Sequence, residues 1–106
     1  MINDKIRQYL RDFVAERDWG QFHTPENLAK SVVIEAAELL EVFQWGSEVD
    51  VDDVKDELAD VLTYCLLMCD KFGFNIDEIV AEKLEKTRSK YPVEKSKGKS
   101  DKYDRL

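Results

Sequence analysis

Two glutamates of this sequence lie inside apolar helix faces, where an ionised side chain is unfavourable. At about 100° per residue, Glu35 projects among the apolar side chains of residues 28–42, and Glu57 projects among those of residues 54–72. A buried carboxylate destabilises a fold unless it is paired, protonated or bound to a cation. These two positions therefore predict a polar site inside the protein.

Each of these glutamates has an acidic neighbour one helical turn later. Glu38 follows Glu35 by three residues, and Asp60 follows Glu57 by three. Side chains at this spacing lie on one side of a helix, about 5–6 Å apart. On adjacent helices the two pairs would bring four carboxylates together, a set that suits Mg²⁺ or Mn²⁺ better than zinc. Solvated acidic faces remain the alternative interpretation.

The other metal centres that such residues suggest lack ligands here. A carboxylate-bridged di-iron site requires Glu-x-x-His pairs, whereas the single histidine, His23, lies in a predicted loop. Cys65 and Cys69 have no further cysteine to complete a zinc site, and we interpret them as core thiols. Glu41 continues the first acidic series by one turn, as a further ligand, a base or a surface residue.

Start and stop signals predict four helices that position these residues. Thr24 before Pro25, Asp50 and Asn75 are helix-capping residues. The predicted helices cover residues 2–18, 25–44, 51–72 and 76–90. With few Gly and Pro and no strand-like alternation, the chain is expected to be all-α, a four-helix bundle-like fold. We expect one domain over residues 1–92 and a basic, mobile tail over residues 93–106.

Composition and charge exclude several classes of protein. The 106 residues are 43% hydrophobic and 37% charged, which is typical of one globular domain. No apolar run is long enough for a membrane span or an export signal, so we expect a cytoplasmic protein with no membrane partner. The net charge of −7 argues against a nucleic acid polymer as partner. Residues 1–82 carry −12 and residues 83–106 carry +5.

The second predicted helix is apolar on two opposite faces. Leu28, Val32 and Leu39 lie on one face, and Val33 and Leu40 lie on the other. A helix that is apolar on both sides is buried on both sides. One short chain has too few helices to cover both faces, so we expect a dimer or a higher assembly.

Several strings of this sequence resemble the MazG-like all-α nucleoside triphosphate pyrophosphohydrolases. The ordered pairs Glu35-x-x-Glu38 and Glu57-x-x-Asp60 are similar to that family's signature. Four further strings resemble its dCTP pyrophosphatase branch: ERDWGQFH from residue 16, ELLEVFQW from residue 38, ELADVLTY from residue 57 and KYP from residue 90. The similarity covers nearly the whole chain.

The resemblance implies a Mg²⁺-dependent enzyme that converts a (deoxy)nucleoside triphosphate to the monophosphate and pyrophosphate. It implies that Glu35, Glu38, Glu57 and Asp60 are the metal ligands. Glu38, or alternatively Glu41, would orient the attacking water. The expected substrate is dCTP or a modified dCTP, and the expected role is house-cleaning of the nucleotide pool.

The resemblance also implies a set of substrate contacts. Aromatic side chains can stack on a nucleobase, and cations can meet the triphosphate, although core packing and the helix dipole are the alternatives. The candidates are Trp19, His23, Trp45, Tyr64, Lys83, Arg88, Lys90, Tyr91 and Lys102. Thr87 occupies a place where relatives usually carry Asn, which bears on substrate preference.

Two other functions compete with the enzyme. A non-catalytic helical module that senses a nucleotide would keep the pocket without the chemistry. A plain structural bundle would show no stabilisation by divalent ions. The four converging carboxylates favour the enzyme, because a sensor has no need for them.

Overall fold

All regular structure in the part of the chain that is described, residues 4–46 and 48–106 of a computed structural model, is helical. The elements in chain order are α1 (Asp4–Glu16), a first 3₁₀ turn (Trp19–Phe22), α2 (Pro25–Glu41), α3 (Val51–Phe72), α4 (Ile76–Lys90), α5 (Val93–Ser96) and a second 3₁₀ turn (Tyr103–Arg105). The all-α prediction is therefore confirmed. The predicted helix start at Ile2 lies outside the described residues.

The predicted capping residues begin three of the helices. The Thr24 hydroxyl accepts a hydrogen bond from the Asn27 N–H at 3.1 Å, and Pro25 follows it at the start of α2. The side chains of Asp50 and Asn75 accept hydrogen bonds from backbone N–H groups at the starts of α3 and α4. Each cap satisfies a donor that the first helical turn leaves free, which explains why these boundaries agree with the sequence.

Two helices end earlier than the periodicity predicts. The chain leaves α1 after Glu16 because Asp18 adopts a left-handed backbone with φ 52°. The second helix was predicted to end at Gln44, but α2 ends at Glu41. The backbone N–H groups of residues 42–44 donate to the carbonyls three residues earlier, not four as in an α-helix. The short α5 and the second 3₁₀ turn lie in the segment predicted to be a tail. The domain over residues 1–92 stays a prediction.

The chain divides into two compact units between Phe74 and Asn75. In the first unit α2 and α3 pack against each other. A bidentate ion pair connects α1 to the end of α3: the Arg11 guanidinium donates hydrogen bonds to both Asp70 carboxylate oxygens at 2.9 Å. Arg7 adds a longer contact of 3.6 Å to the same carboxylate. The second unit contains α4, α5 and the second 3₁₀ turn.

The apolar core of the single chain is small. Among the described residues only Leu28, Leu66, Leu67 and Cys69 are buried. On the outer side of α2, by contrast, Val33 is 68% exposed and Leu40 is 69% exposed. The face of α2 that was expected to be covered by a partner is thus open in the single chain. Within the described residues, no helix is both long and apolar enough to cross a bilayer.

Candidate active site

Three of the four predicted metal ligands meet between α2 and α3. One carboxylate oxygen each from Glu35, Glu57 and Asp60 lies within 4.8 Å of the others. Glu35 and Glu57 are half-buried, and Asp60 is exposed at the rim. The packing of α2 on α3 places these side chains face to face, so the two acidic series form one acidic site.

The fourth predicted ligand, Glu38, lies next to these carboxylates but is not one of the three whose oxygens converge. Its side chain is exposed, one turn after Glu35 on α2. Its carboxyl acts on both Glu35 and Glu57 through its charge and through hydrogen bonding. Glu38, like Asp60, is therefore a member of the acidic site that solvent and a ligand can reach.

Burial and mutual repulsion shift the acidity of the site. Burial is the main reason that the pKa of Glu35 rises to about 7, and Glu38, Asp60 and Glu57 raise it further. The pKa of Glu57 is also raised, first by loss of solvation and then by the charges of Glu38 and Asp60. In the absence of a cation the site therefore retains a proton near neutral pH.

The donors present fit a hard divalent cation. The Oε2 atoms of Glu35 and Glu57 are buried and have no hydrogen-bond partner within the described chain. An unpartnered buried oxygen is unfavourable, and a cation would satisfy both atoms at once. All the donors are carboxylate oxygens, as Mg²⁺ and Mn²⁺ prefer. Glu35, Glu57 and Asp60, with Glu38 beside them, are therefore suited to hold such an ion.

The raised pKa of Glu35 predicts how stability depends on pH in the metal-free protein. A carboxyl with a pKa of about 7 when folded, above its ordinary value of 4.5, binds more protons in the folded state between these two values. Stability then falls as pH rises from about 4.5 to about 7. We expect the Tm in EDTA to be lower at pH 8 than at pH 5, and Mg²⁺ to raise it more at pH 8, because protons no longer compete.

The variant Glu35→Gln is the control for this pH dependence and should reduce it, while the raised pKa of Glu57 retains a part of the same sign. The Asp70 carboxyl does not act in this window. Its hydrogen bonds from Arg11 hold its pKa below the ordinary 3.8, so its contribution is lost only at more acidic pH. The lowered pKa of His23 acts in the opposite direction to Glu35, because stability from this group rises as pH approaches 6.5. A Tm in EDTA that rises between pH 5 and pH 8 would contradict the assigned shift of Glu35.

The alternative water-orienting residue, Glu41, lies at the last position of α2. It is exposed and borders a shallow hollow of about 500 Å³ with Ala37, Leu40 and Phe43. It is not one of the three residues whose oxygens converge. Its role as an alternative to Glu38 stays a prediction.

The predicted nucleobase contacts occupy different places in the first unit. Tyr64 is half-buried on α3, one turn after Asp60, so it is adjacent to the acidic site along the helix. Trp19 lies in the first 3₁₀ turn with 43% of its surface exposed, and Trp45 follows α2 with 82% exposed. Both indoles therefore present open surface to a ligand.

His23 borders a separate hollow of about 480 Å³, together with Arg11, Asp70 and Lys71. Asp70 is ten residues after Asp60 on α3, a separation of about 15 Å along a helix. Burial, followed by the charge of Lys71, lowers the pKa of His23. In the single chain the structure thus does not bring His23 to the carboxylates.

The remaining predicted substrate contacts lie in the second unit: Lys83, Arg88, Lys90, Tyr91 and Lys102. There the Lys90 ammonium lies 4.9 Å above the Tyr103 ring, whose edge meets Tyr91 with 6.2 Å between ring centres. The Thr87 hydroxyl donates to the Lys83 carbonyl at 3.0 Å. The assignment of these residues to substrate stays a prediction.

Sequence reasoning missed two aromatic contacts. Tyr103 was not among the candidates, although it touches both Lys90 and Tyr91. The Arg17 guanidinium lies over the Phe13 ring, next to Trp19. A cation four residues after an aromatic on one helix is the signal that points to the second contact. The first depends on a turn between residues 91 and 103 that periodicity does not predict.

Comparison with known proteins identifies relatives over nearly the whole chain. Residues 30–106 match the MazG-like family. The dCTP pyrophosphatase 1 of Mus musculus is 35% identical and that of Homo sapiens is 33% identical, each over 97% of this chain and 66% of the relative. The chain thus spans about two thirds of the length of these relatives. A crystal structure of a pyrophosphatase from Archaeoglobus fulgidus matches with a TM-score of 0.76 and 43% identity, covering 84% of this chain and 91% of that chain.

Proposed function

Because this chain belongs to the MazG-like family, we propose that it is a nucleotide pyrophosphatase, a hydrolase that cleaves a nucleoside triphosphate between the α and β phosphorus atoms. The products are a nucleoside monophosphate and pyrophosphate. The observation that carries this proposal is the pair of unpartnered buried oxygens on Glu35 and Glu57, two residues whose carboxylates converge with that of Asp60. The two dCTP pyrophosphatases and the archaeal pyrophosphatase that resemble this chain support the same class of hydrolase.

The proposed cofactor is Mg²⁺, with Mn²⁺ as a substitute. Glu35, Glu57 and Asp60 would hold the ion with Glu38, because their oxygens converge or lie beside those that do. When bound, such an ion neutralises phosphate oxygens and lowers the pKa of a coordinated water. A cation also replaces the proton that the raised pKa of Glu35 retains in the free site.

The protein's own residues orient the water and accept its proton. Glu38 is exposed beside the two half-buried glutamates, so its carboxylate can accept a hydrogen bond from the attacking water. The water oxygen forms a bond to the α phosphorus as the bond to the bridging oxygen breaks, and pyrophosphate leaves. Glu35 and Glu57 sit on regular helices, which keeps their oxygens fixed during this step.

The proposed substrate is dCTP or a modified dCTP, and the proposed setting is house-cleaning of the cytoplasmic nucleotide pool. Tyr64 is next to the acidic site, and Trp19 and Trp45 offer exposed indole faces for stacking. His23 stays a predicted contact to the base or the sugar, although in the single chain it borders a different hollow. Two relatives named dCTP pyrophosphatase 1 support cytosine as the base.

We also propose that the protein works as a dimer or a dimer of dimers. Two apolar hollows of about 450 and 500 Å³ lie along the outer side of α2, one bordered by Ala29, Val33 and Ile34 and the other by Ala37 and Leu40. Contiguous exposed apolar surface of this kind marks an interaction site. A second copy would bury it and enlarge the small core of the single chain.

A panel of triphosphates tests the proposed function directly. Purified protein is incubated with each dNTP and NTP and with Mg²⁺, and the products are separated by chromatography. We expect monophosphate and pyrophosphate in equal amounts, fastest from dCTP, and no turnover in EDTA. Mn²⁺ should restore activity after EDTA treatment.

Three outcomes would reject the proposal. Orthophosphate as the primary product would place the cleavage at another bond. Tight binding of a non-hydrolysable triphosphate by calorimetry, without hydrolysis of any natural nucleotide, would favour the nucleotide-sensing module. Absence of any stabilisation by Mg²⁺ would favour a structural bundle.

A further inference from the structure

The turn after α1 holds Trp19 in a defined orientation. Asp18 adopts a left-handed backbone, φ 52° and ψ 37°, a conformation that few residues besides glycine, asparagine and aspartate adopt. The Gln21 amide donates to the Asp18 carbonyl at 3.0 Å and to its carboxylate at 3.1 Å, which secures this backbone. The chain is thereby turned so that the Trp19 indole folds back toward α1.

Arg17 connects the indole to the helix. Its guanidinium carbon lies 3.7 Å above the centre of the Phe13 ring and 5.8 Å from that of Trp19. The same guanidinium donates a hydrogen bond to the Phe13 carbonyl at 3.0 Å. The Phe13 ring meets Trp19 edge to face, with 5.5 Å between the ring centres. Arg17 therefore fixes both aromatic rings, whereas its ion pair with the exposed Glu16 is long, at 3.6 Å.

We propose that Arg17 is the positioning residue for Trp19, and that it determines how tightly the nucleobase of the substrate is held. This inference rests on the proposed function, in which Trp19 contacts the base. Arg17 itself touches no substrate in this scheme; it acts through the Phe13 ring and the indole.

The physical reason is preorganisation. With 43% of its surface exposed, Trp19 is only partly enclosed, so each contact that it makes matters for its rotamer. A planar guanidinium stacked on the adjacent ring adds an attraction that a flexible ammonium supplies less well. An indole that is already ordered loses less conformational entropy when a base stacks on it. Loss of Arg17 should therefore weaken binding and leave the chemical step unchanged.

The first test measures the order of Trp19 without any ligand. In a Trp45→Phe background Trp19 is the single tryptophan. We expect Arg17→Gln to raise the acrylamide quenching of Trp19 fluorescence and to lower its anisotropy. Arg17→Lys should give values between those of Arg17→Gln and the Trp45→Phe parent. Lys5→Gln removes one exposed positive charge from α1, the helix that carries Phe13, and should change neither value. Unchanged quenching in Arg17→Gln would overturn the proposal.

The second test uses steady-state kinetics with tryptophans intact. Arg17→Gln should raise the KM for the best triphosphate about threefold to fivefold, as expected for one exposed cation–π contact, with kcat unchanged. Phe13→Leu should raise KM as well, and adding Arg17→Gln to it should have little further effect, because both act through one stack. The proposed role would be overturned if Arg17→Gln raised the quenching of Trp19 without changing KM, or if it lowered kcat alone. If the parent protein turned over no triphosphate, the proposed function would be rejected instead. The acrylamide quenching of Trp19 in Arg17→Gln would then decide by itself whether Arg17 orders Trp19.

Discussion

Asp60→Asn and Glu38→Gln are each expected to lower kcat by about 10²–10³-fold, the range that loss of one preorganised electrostatic group costs an enzyme. Asp60 contributes an oxygen to the converging carboxylates, and Glu38 lies beside them. The amide variants keep the size of each side chain while removing its negative charge. The measurement is the initial rate of pyrophosphate release at saturating triphosphate and Mg²⁺.

The same two variants should remain folded, and a stability measurement separates loss of chemistry from loss of structure. In EDTA, Asp60→Asn removes one of several like charges that raise the pKa values of Glu35 and Glu57. Its metal-free Tm should therefore rise by about 2–4 °C, whereas the increase that Mg²⁺ causes in the parent should shrink. A substitution that only stabilised the fold would raise the Tm in EDTA without reducing the increase in Tm that Mg²⁺ causes.

Asp56→Asn is the matched control for this prediction. Asp56 is exposed on α3, four residues before Asp60, and is not one of the converging carboxylates. Its loss should leave both kcat and the Mg²⁺-dependent Tm shift near the parent values. Full activity in Asp60→Asn and in Glu38→Gln would show that the acidic site is not the catalytic centre.

Charge introduced on the outer face of α2 is expected to separate the subunits. Val33 and Leu40 are seven residues apart and more than two thirds exposed in the single chain, so both lie on one side of the helix. If a second copy covers them, Val33→Glu with Leu40→Glu buries unpaired charge at the interface. We expect a monomer in light scattering and a Tm lower by about 10 °C or more, from the lost burial of two large apolar side chains per chain.

Val51→Glu is the control for the effect of the substitution itself. Val51 is also strongly exposed, 76%, but it lies at the first position of α3, away from the apolar hollows of α2. This change should alter neither mass nor Tm appreciably. A parent protein that is already monomeric, with a Tm unaffected by the α2 double variant, would contradict the proposed assembly.

The sequence predicted the helices and the acidic residues well because both depend on short-range features. Asp50 and Asn75 cap α3 and α4 as expected, and Gly73 ends α3 with a left-handed φ of 70°. The three-residue spacing of the carboxylates likewise fixes the side of each helix on which they lie. Where a local signal was absent, as at the left-handed Asp18, the predicted end of α1 was wrong by two residues.

Chain order and composition alone determined that this protein is all-α and where its capped helices begin. They also determined that Glu35 and Glu57 lie on apolar faces, each with an acidic neighbour one turn later. The tertiary structure decided which oxygens meet: Glu35, Glu57 and Asp60 converge, whereas Glu38 stands at the side and Glu41 apart. It also decided that Arg17 lies on Phe13 and that His23 borders a different hollow. Capping and periodicity arise within one or two helical turns. The distance and rotation between two packed helices depend instead on side chains far apart in sequence, which no local pattern encodes.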